Sequence, residues 1–216
     1  MDVDFNQVKI DVIDSLGGRD GAFEIQESLE TDYEKFIGNY EASYDCDSRK
    51  IASNTLGQNI QNQLKISVLE FFKSRKLSYK IFQNSTGNYS YPVAIQDKLV
   101  ISFAVNQNTN WQNCEYFKNL AVSYNEWLNP VIEDMFSPPL EQARGKLFCI
   151  LVANIFDKKL IGLEIIIPTS EDLKYAVCKF SLVEAIEAYD LSVGNKFKPR
   201  KNVAYKKPKL KKKNNG

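Results

Sequence analysis

Two apolar runs separated by a polar turn, Pro92-Val93-Ala94-Ile95-Gln96-Asp97-Lys98-Leu99-Val100-Ile101-Ser102-Phe103-Ala104-Val105, decide how the rest of the chain is read. Val93 to Ile95 and Leu99 to Val105 are rich in residues that fill a pleated surface, and Gln96-Asp97-Lys98 supplies the turn, so the stretch predicts a β-hairpin. Upstream, Tyr79-Lys80-Ile81-Phe82 is a short strand candidate, followed by a loop of Asn, Ser and Gly from Gln83 to Ser90. Before that strand, Leu56, Ile60, Leu64, Val68 and Phe71 or Phe72 recur every three or four residues. That spacing predicts a helix, with Asn54 as its candidate cap and Lys73-Ser74-Arg75-Lys76 closing it.

Downstream, Trp111, Cys114, Phe117, Leu120, Ala121, Tyr124 and Leu128 trace one face of a helix that Asn129-Pro130 breaks or kinks, and Pro138-Pro139 marks a loop. A second hairpin follows: Lys146 to Ile155, the turn Asp157-Lys158-Lys159, and Leu160 to Ile167 closed by Pro168. Ser181-Leu182-Val183-Glu184 is a capping box opening a last helix through Ile186 and Tyr189. Toward the N-terminus, residues 4–16 and about 21–37 carry helical spacing, with Gly17-Gly18 and Gly38-Asn39 as stops and the polar residues 39–53 as a loop. The fold class expected is mixed α/β: N-terminal helices, then helix, strand, strand, strand, helix, strand. Residues 1–195 are expected to form one globular domain, with an acidic helical part over 1–50 and the core over 54–195. Residues 196–216 are expected to be a disordered basic tail.

The apolar share of 44% and charged share of 25% are those of a globular chain. The longest apolar run, Leu147 to Ala153, is far short of the roughly 20 residues that span a bilayer, so no membrane is expected. The acidic start Met1-Asp2-Val3-Asp4 lacks the features of a secretory signal, and the location expected is cytoplasmic, or nuclear in a eukaryote. Cys46, Cys114, Cys149 and Cys178 form no C-x-x-C, and Cys149 and Cys178 read as small buried hydrophobes rather than disulfide partners.

The chain contains no histidine. That excludes Ser-His-Asp and Cys-His nucleophilic systems and every zinc site that needs imidazole. Catalysis, if present, would use carboxylates, lysine, tyrosine or a carboxylate-held Mg²⁺. No phosphate-binding loop is present, and Gly17-Gly18-Arg19-Asp20-Gly21 has the spacing of a turn, not of a dinucleotide fingerprint.

From residue 54 to 156 the order of elements resembles the restriction-endonuclease-like, PD-(D/E)XK nuclease fold. The resemblance implies an Asp opening the second core strand and a (D/E)-x-K on the third, the carboxylates holding Mg²⁺. Laid on this hairpin, Pro92-Val93 stands where Pro-Asp would be and Ser102-Phe103-Ala104 where Glu-x-Lys would be. An inactive relative is therefore expected. Displaced substitutes would come from Asp97 and Lys98, Glu115 and Lys118, or Asp157 and Glu164. With these, Mg²⁺ would enter as cofactor of an active nuclease; otherwise no cofactor is expected.

Charge is unevenly distributed. Lys196, Lys198, Arg200, Lys201, Lys206, Lys207, Lys209, Lys211, Lys212 and Lys213 place ten cations in residues 196–216 without one acid. Taking those ten from 28 leaves 18 bases against 27 acids, a net of −9 over residues 1–195. Such a tail attracts phosphate backbones through counterion release, so DNA or RNA is one expected partner. The alternative is a tail that only solubilises or folds back on its own acidic body. A second class of reading makes the protein an interaction module. Its acidic N-terminal region, 13 acids against 5 bases in residues 1–50, would then bind a protein partner.

Overall fold

The computed structural model describes residues 4–83, 89–106, 111–128 and 146–194. The loop expected before Ser90, the Asn129-Pro130 and Pro138-Pro139 breaks and the basic tail lie largely or wholly outside these residues. The fold is mixed α/β. Helices α1 (Phe5–Ser15), α2 (Gly18–Ser43) and α3 (Cys46–Ser74) precede strands β1 (Tyr79–Gln83), β2 (Ser90–Ile95) and β3 (Leu99–Asn106). Helix α4 (Glu115–Asn125), flanked by single 3₁₀ turns, then leads to β4 (Leu147–Phe156), β5 (Lys159–Pro168), β6 (Ala176–Ser181) and α5 (Leu182–Ser192).

The six strands form one sheet in sequence order, antiparallel throughout except for the parallel pair β3–β4. Strand periodicity explains the layering. Ile101, Phe103 and Val105 of β3 and Leu147, Cys149, Leu151 and Ala153 of β4 face a core built with α1, α2, α3 and α5. Val100 and Ala104, with Phe148, Ile150 and Val152, face the opposite core under α4. A strand covered on both faces must be apolar throughout, which is why Leu147 to Ala153 reads as an unbroken run.

The region 39–53 differs from expectation. It is the tip of a helical hairpin, with α2 running through Gly38 to Ser43 and α3 starting at Cys46. The Asp45 side chain accepts hydrogen bonds from the Asp47 and Ser48 amides, so Asp45, not Asn54, is the N-cap. Arg49 closes the turn by donating to the carbonyls of Tyr44 and Glu41. No residue from 38 to 55 is fully buried, so this end carries no apolar period to read. Strand β6 was also not anticipated from the sequence.

Between α1 and α2 the chain reverses through Gly17 and Gly18, both at positive φ (88° and 83°), a region open to glycine. Gly21 then passes beneath the end of α1, where an added Cβ would lie 1.9 Å from the Leu16 carbonyl oxygen. Gly21→Ala must therefore force backbone apart and is expected to destabilise by about 2 kcal/mol. Gly38→Ala, where a Cβ would meet nothing within 4 Å, is expected to be neutral or stabilising. Urea denaturation of the two variants checks the contrast.

Candidate functional site: a fork between two strands

Strands β2 and β3 share register only over Val93↔Ser102, Ala94↔Ile101 and Ile95↔Val100. Beyond that point β2 continues with β1 alone, through Pro92 to Ser90, and β3 continues with β4 alone, through Phe103 to Asn106. The sheet therefore forks. Val93 and Ser102 are direct partners at the base of the fork and both are fully buried. Ser102 Oγ has no hydrogen-bond partner, an exception among buried polar atoms.

Two residues beyond Val93, on the same face, Tyr91 borders the fork. Its ring stacks on Tyr116 of α4, with centroids 5.1 Å apart, and Phe82 of β1 packs beside Tyr116 at 5.4 Å. Cys114, the N-cap of α4, directs its thiol to the Tyr91 hydroxyl at 3.6 Å. Lys65 of α3, only 7% exposed, lays its ammonium 4.1 Å from the Tyr91 ring centroid. Among the described residues it has neither an ion pair nor a hydrogen bond. Burial pushes Lys65 down to about 8, partly countered by the Cys114 thiol nearby. Burial likewise pushes the Tyr91 and Tyr116 phenols well above their usual range. The Tyr116 hydroxyl is buried without a partner. The described side chains of the fork thus present hydrogen-bond donors and aromatic faces, and no carboxylate.

The acidic candidates lie elsewhere. Asp157 is in the β4–β5 turn, in the left-handed region (φ 47°), and exposed. Glu164 lies mid-β5 and pairs with Lys179 of β6 at 2.9 Å. Glu115 and Lys118 are exposed on α4, and Lys98 is tied to Asp11 at 2.7 Å. No set of three acidic or cysteine side chains that could hold a metal ion occurs among the described residues. All four cysteines are free; Cys149 is buried and pushed to about 12 by burial, whereas Cys178, expected in the core, is only half-buried on the edge strand β6. No helix among the described residues is long and apolar enough to cross a membrane.

A second buried polar device, Asn125 at the end of α4, joins α4 to the sheet. Its side chain donates to the carbonyls of Phe148 (3.0 Å) and Pro168 (2.8 Å) and accepts from the Phe148 amide (2.8 Å). Neither Lys65 nor Asn125 stands out in the sequence. A lone lysine in a helix reads as solvated surface, and an asparagine near Pro130 reads as a helix end.

No protein-family model, curated protein or solved structure matches the chain.

Proposed function

We propose that the protein is a non-catalytic, nucleic-acid-associated protein. Its α/β body is a nuclease-like domain that has lost its carboxylates, and its basic segment 196–216 supplies non-specific affinity for phosphate backbones. The observation that carries the reading is the separation of charge along the chain, ten cations without an acid after an otherwise acidic body. The absence of catalysis is supported by the Val93–Ser102 pair. It stands on adjacent strands and one face, as a pair of metal-holding carboxylates must, yet offers one methyl-bearing and one hydroxyl side chain. Glu164, the acidic candidate nearest the core, is engaged by Lys179.

The test is fluorescence anisotropy with short DNA and RNA duplexes and single strands at several salt concentrations. If six or more of the cations meet phosphates, affinity is expected to fall about a thousand-fold between 50 and 200 mM salt. It is expected to vanish when residues 196–216 are removed. Binding that survives the removal would overturn the tail's role.

A second reading has its own observation. The outer part of the α2–α3 hairpin exposes Ile51 (77%) and Tyr44 (41%) among acidic residues, a surface suited to a protein partner. That reading expects no polyanion binding at moderate salt and a complex lost on Ile51→Asp.

A further inference from the structure

We infer that the fork between β2 and β3 is a binding site for a tetrahedral oxyanion, an inorganic phosphate or a phosphate monoester, with Lys65 as its principal ligand. The inference concerns the body of the protein and does not depend on the basic segment.

Three features of the fork point the same way. Lys65 is more than nine-tenths buried, yet among the described residues no carboxylate or other acceptor balances its ammonium. A buried cation without an anion is costly unless a partner supplies the missing charge. Ser102 and Tyr116 carry buried hydroxyls without partners, Ser102 at the base of the fork and Tyr116 stacked on Tyr91. Helix α4 begins at the same place, because its N-cap Cys114 contacts Tyr91. That N-cap makes no side-chain hydrogen bond to the first-turn amides. Those amides carry the positive end of an 11-residue helix.

These groups share one chemistry. The ammonium, the phenol and hydroxyl protons and the helix amides all donate. The Tyr91 hydroxyl and the Cys114 thiol, 3.6 Å apart, are both donors of this set. Lys65 of α3 and the N-terminus of α4 meet at Tyr91 of β2, an arrangement that suits an anion with several oxygens, and helix N-termini favour phosphate. Glu115, in the first turn of α4, is exposed. The rings of Phe82, Tyr91 and Tyr116 form an aromatic wall against which the organic part of a monoester can lie.

The full-length protein should be titrated with inorganic phosphate at constant ionic strength by calorimetry, with ¹³C-methylene NMR of lysine as a second readout. Saturable one-to-one binding is expected, with the Lys65 titration moving to higher pH when phosphate is bound. Lys65→Met is expected to weaken binding at least tenfold. Lys212→Gln combined with Lys213→Gln is expected to leave it within twofold, which separates the fork from the basic segment. A nucleoside 5′-monophosphate binding no tighter than phosphate would identify free phosphate as the ligand; tighter binding would identify a monoester using the aromatic wall. Unchanged affinity in Lys65→Met, loss in the double glutamine variant, or no saturable binding would overturn the inference. Lys65→Met is expected to fold more stably than the wild type, so a lost site is not a lost fold. Nucleic-acid binding that survived removal of residues 196–216 would overturn the tail's role and leave the fork inference untouched.

Discussion

Asn125→Ala is expected to lower stability by about 4 kcal/mol, the largest loss argued for any single side chain of this protein. The reason lies at the end of the β4–β5 ladder. The register Ile150↔Ile166 continues in the antiparallel sense to Phe148 opposite Pro168. Proline has no amide proton and cannot donate to Phe148, so the ladder fails at this pair. The Asn125 carboxamide takes its place, donating to both carbonyls and accepting from the one amide that remains. Truncation strands three buried backbone groups, each costing about 1–3 kcal/mol when left unsatisfied. Asn125→Asp keeps the acceptor but turns a carboxylate toward two carbonyls, and is expected to be no better than alanine. Thermal unfolding should fall by about 10 °C, at the roughly 2–4 °C per kcal/mol of a chain this size. A fall below about 3 °C would show that water replaces the latch.

Lys65→Met has the opposite sign. The unfolded lysine keeps its proton to about 10.5, the folded one only to about 8. Between those values the unfolded chain binds more protons, so the wild type gains stability as pH rises through the window. Below it, the buried ammonium lowers stability by on the order of 3 kcal/mol, at about 1.4 kcal/mol per pH unit. Methionine removes the charge and keeps the packing. The variant is therefore expected to be more stable than the wild type at pH 7 by roughly that amount, the advantage fading toward pH 10.5. Burial of Cys149 acts in the other direction above pH 9, but equally in both proteins, so it cancels in the difference. Urea titrations at pH 7, 9 and 10.5 measure it; parallel curves at all three would refute the buried-charge account.

The sheet and its layers were legible because burial leaves a period. Leu99 to Val105 and Leu147 to Ala153 are covered on both faces, Leu56 to Phe72 line one side of a helix, and Ser181 and Glu184 form the capping box expected of them. Where burial is partial the signal fades. The α2–α3 tip is helical through Asp45 and Arg49 rather than through apolar spacing, and β6 is an edge strand interrupted by Lys179. Of the fork, the hairpin that carries Val93 and Ser102 was legible from its two apolar runs and polar turn. Lys65, Tyr91 and Tyr116 were not, because they meet only after the crossover through α4 brings three distant segments together. Asn125 escaped for the same reason: its partners lie 23 and 43 residues away.

The lone parallel pair shapes the order in which the molecule can assemble. Each antiparallel trio, β1 to β3 and β4 to β6, joins strands that are neighbours in the chain and can zip locally. The seam between them pairs Leu99 with Leu147, across the whole α4 connection. Closing that long loop must precede any reward from the contacts it creates, which makes the seam the slow join in folding. Substitutions there retard folding, whereas those within either trio act chiefly by hastening unfolding.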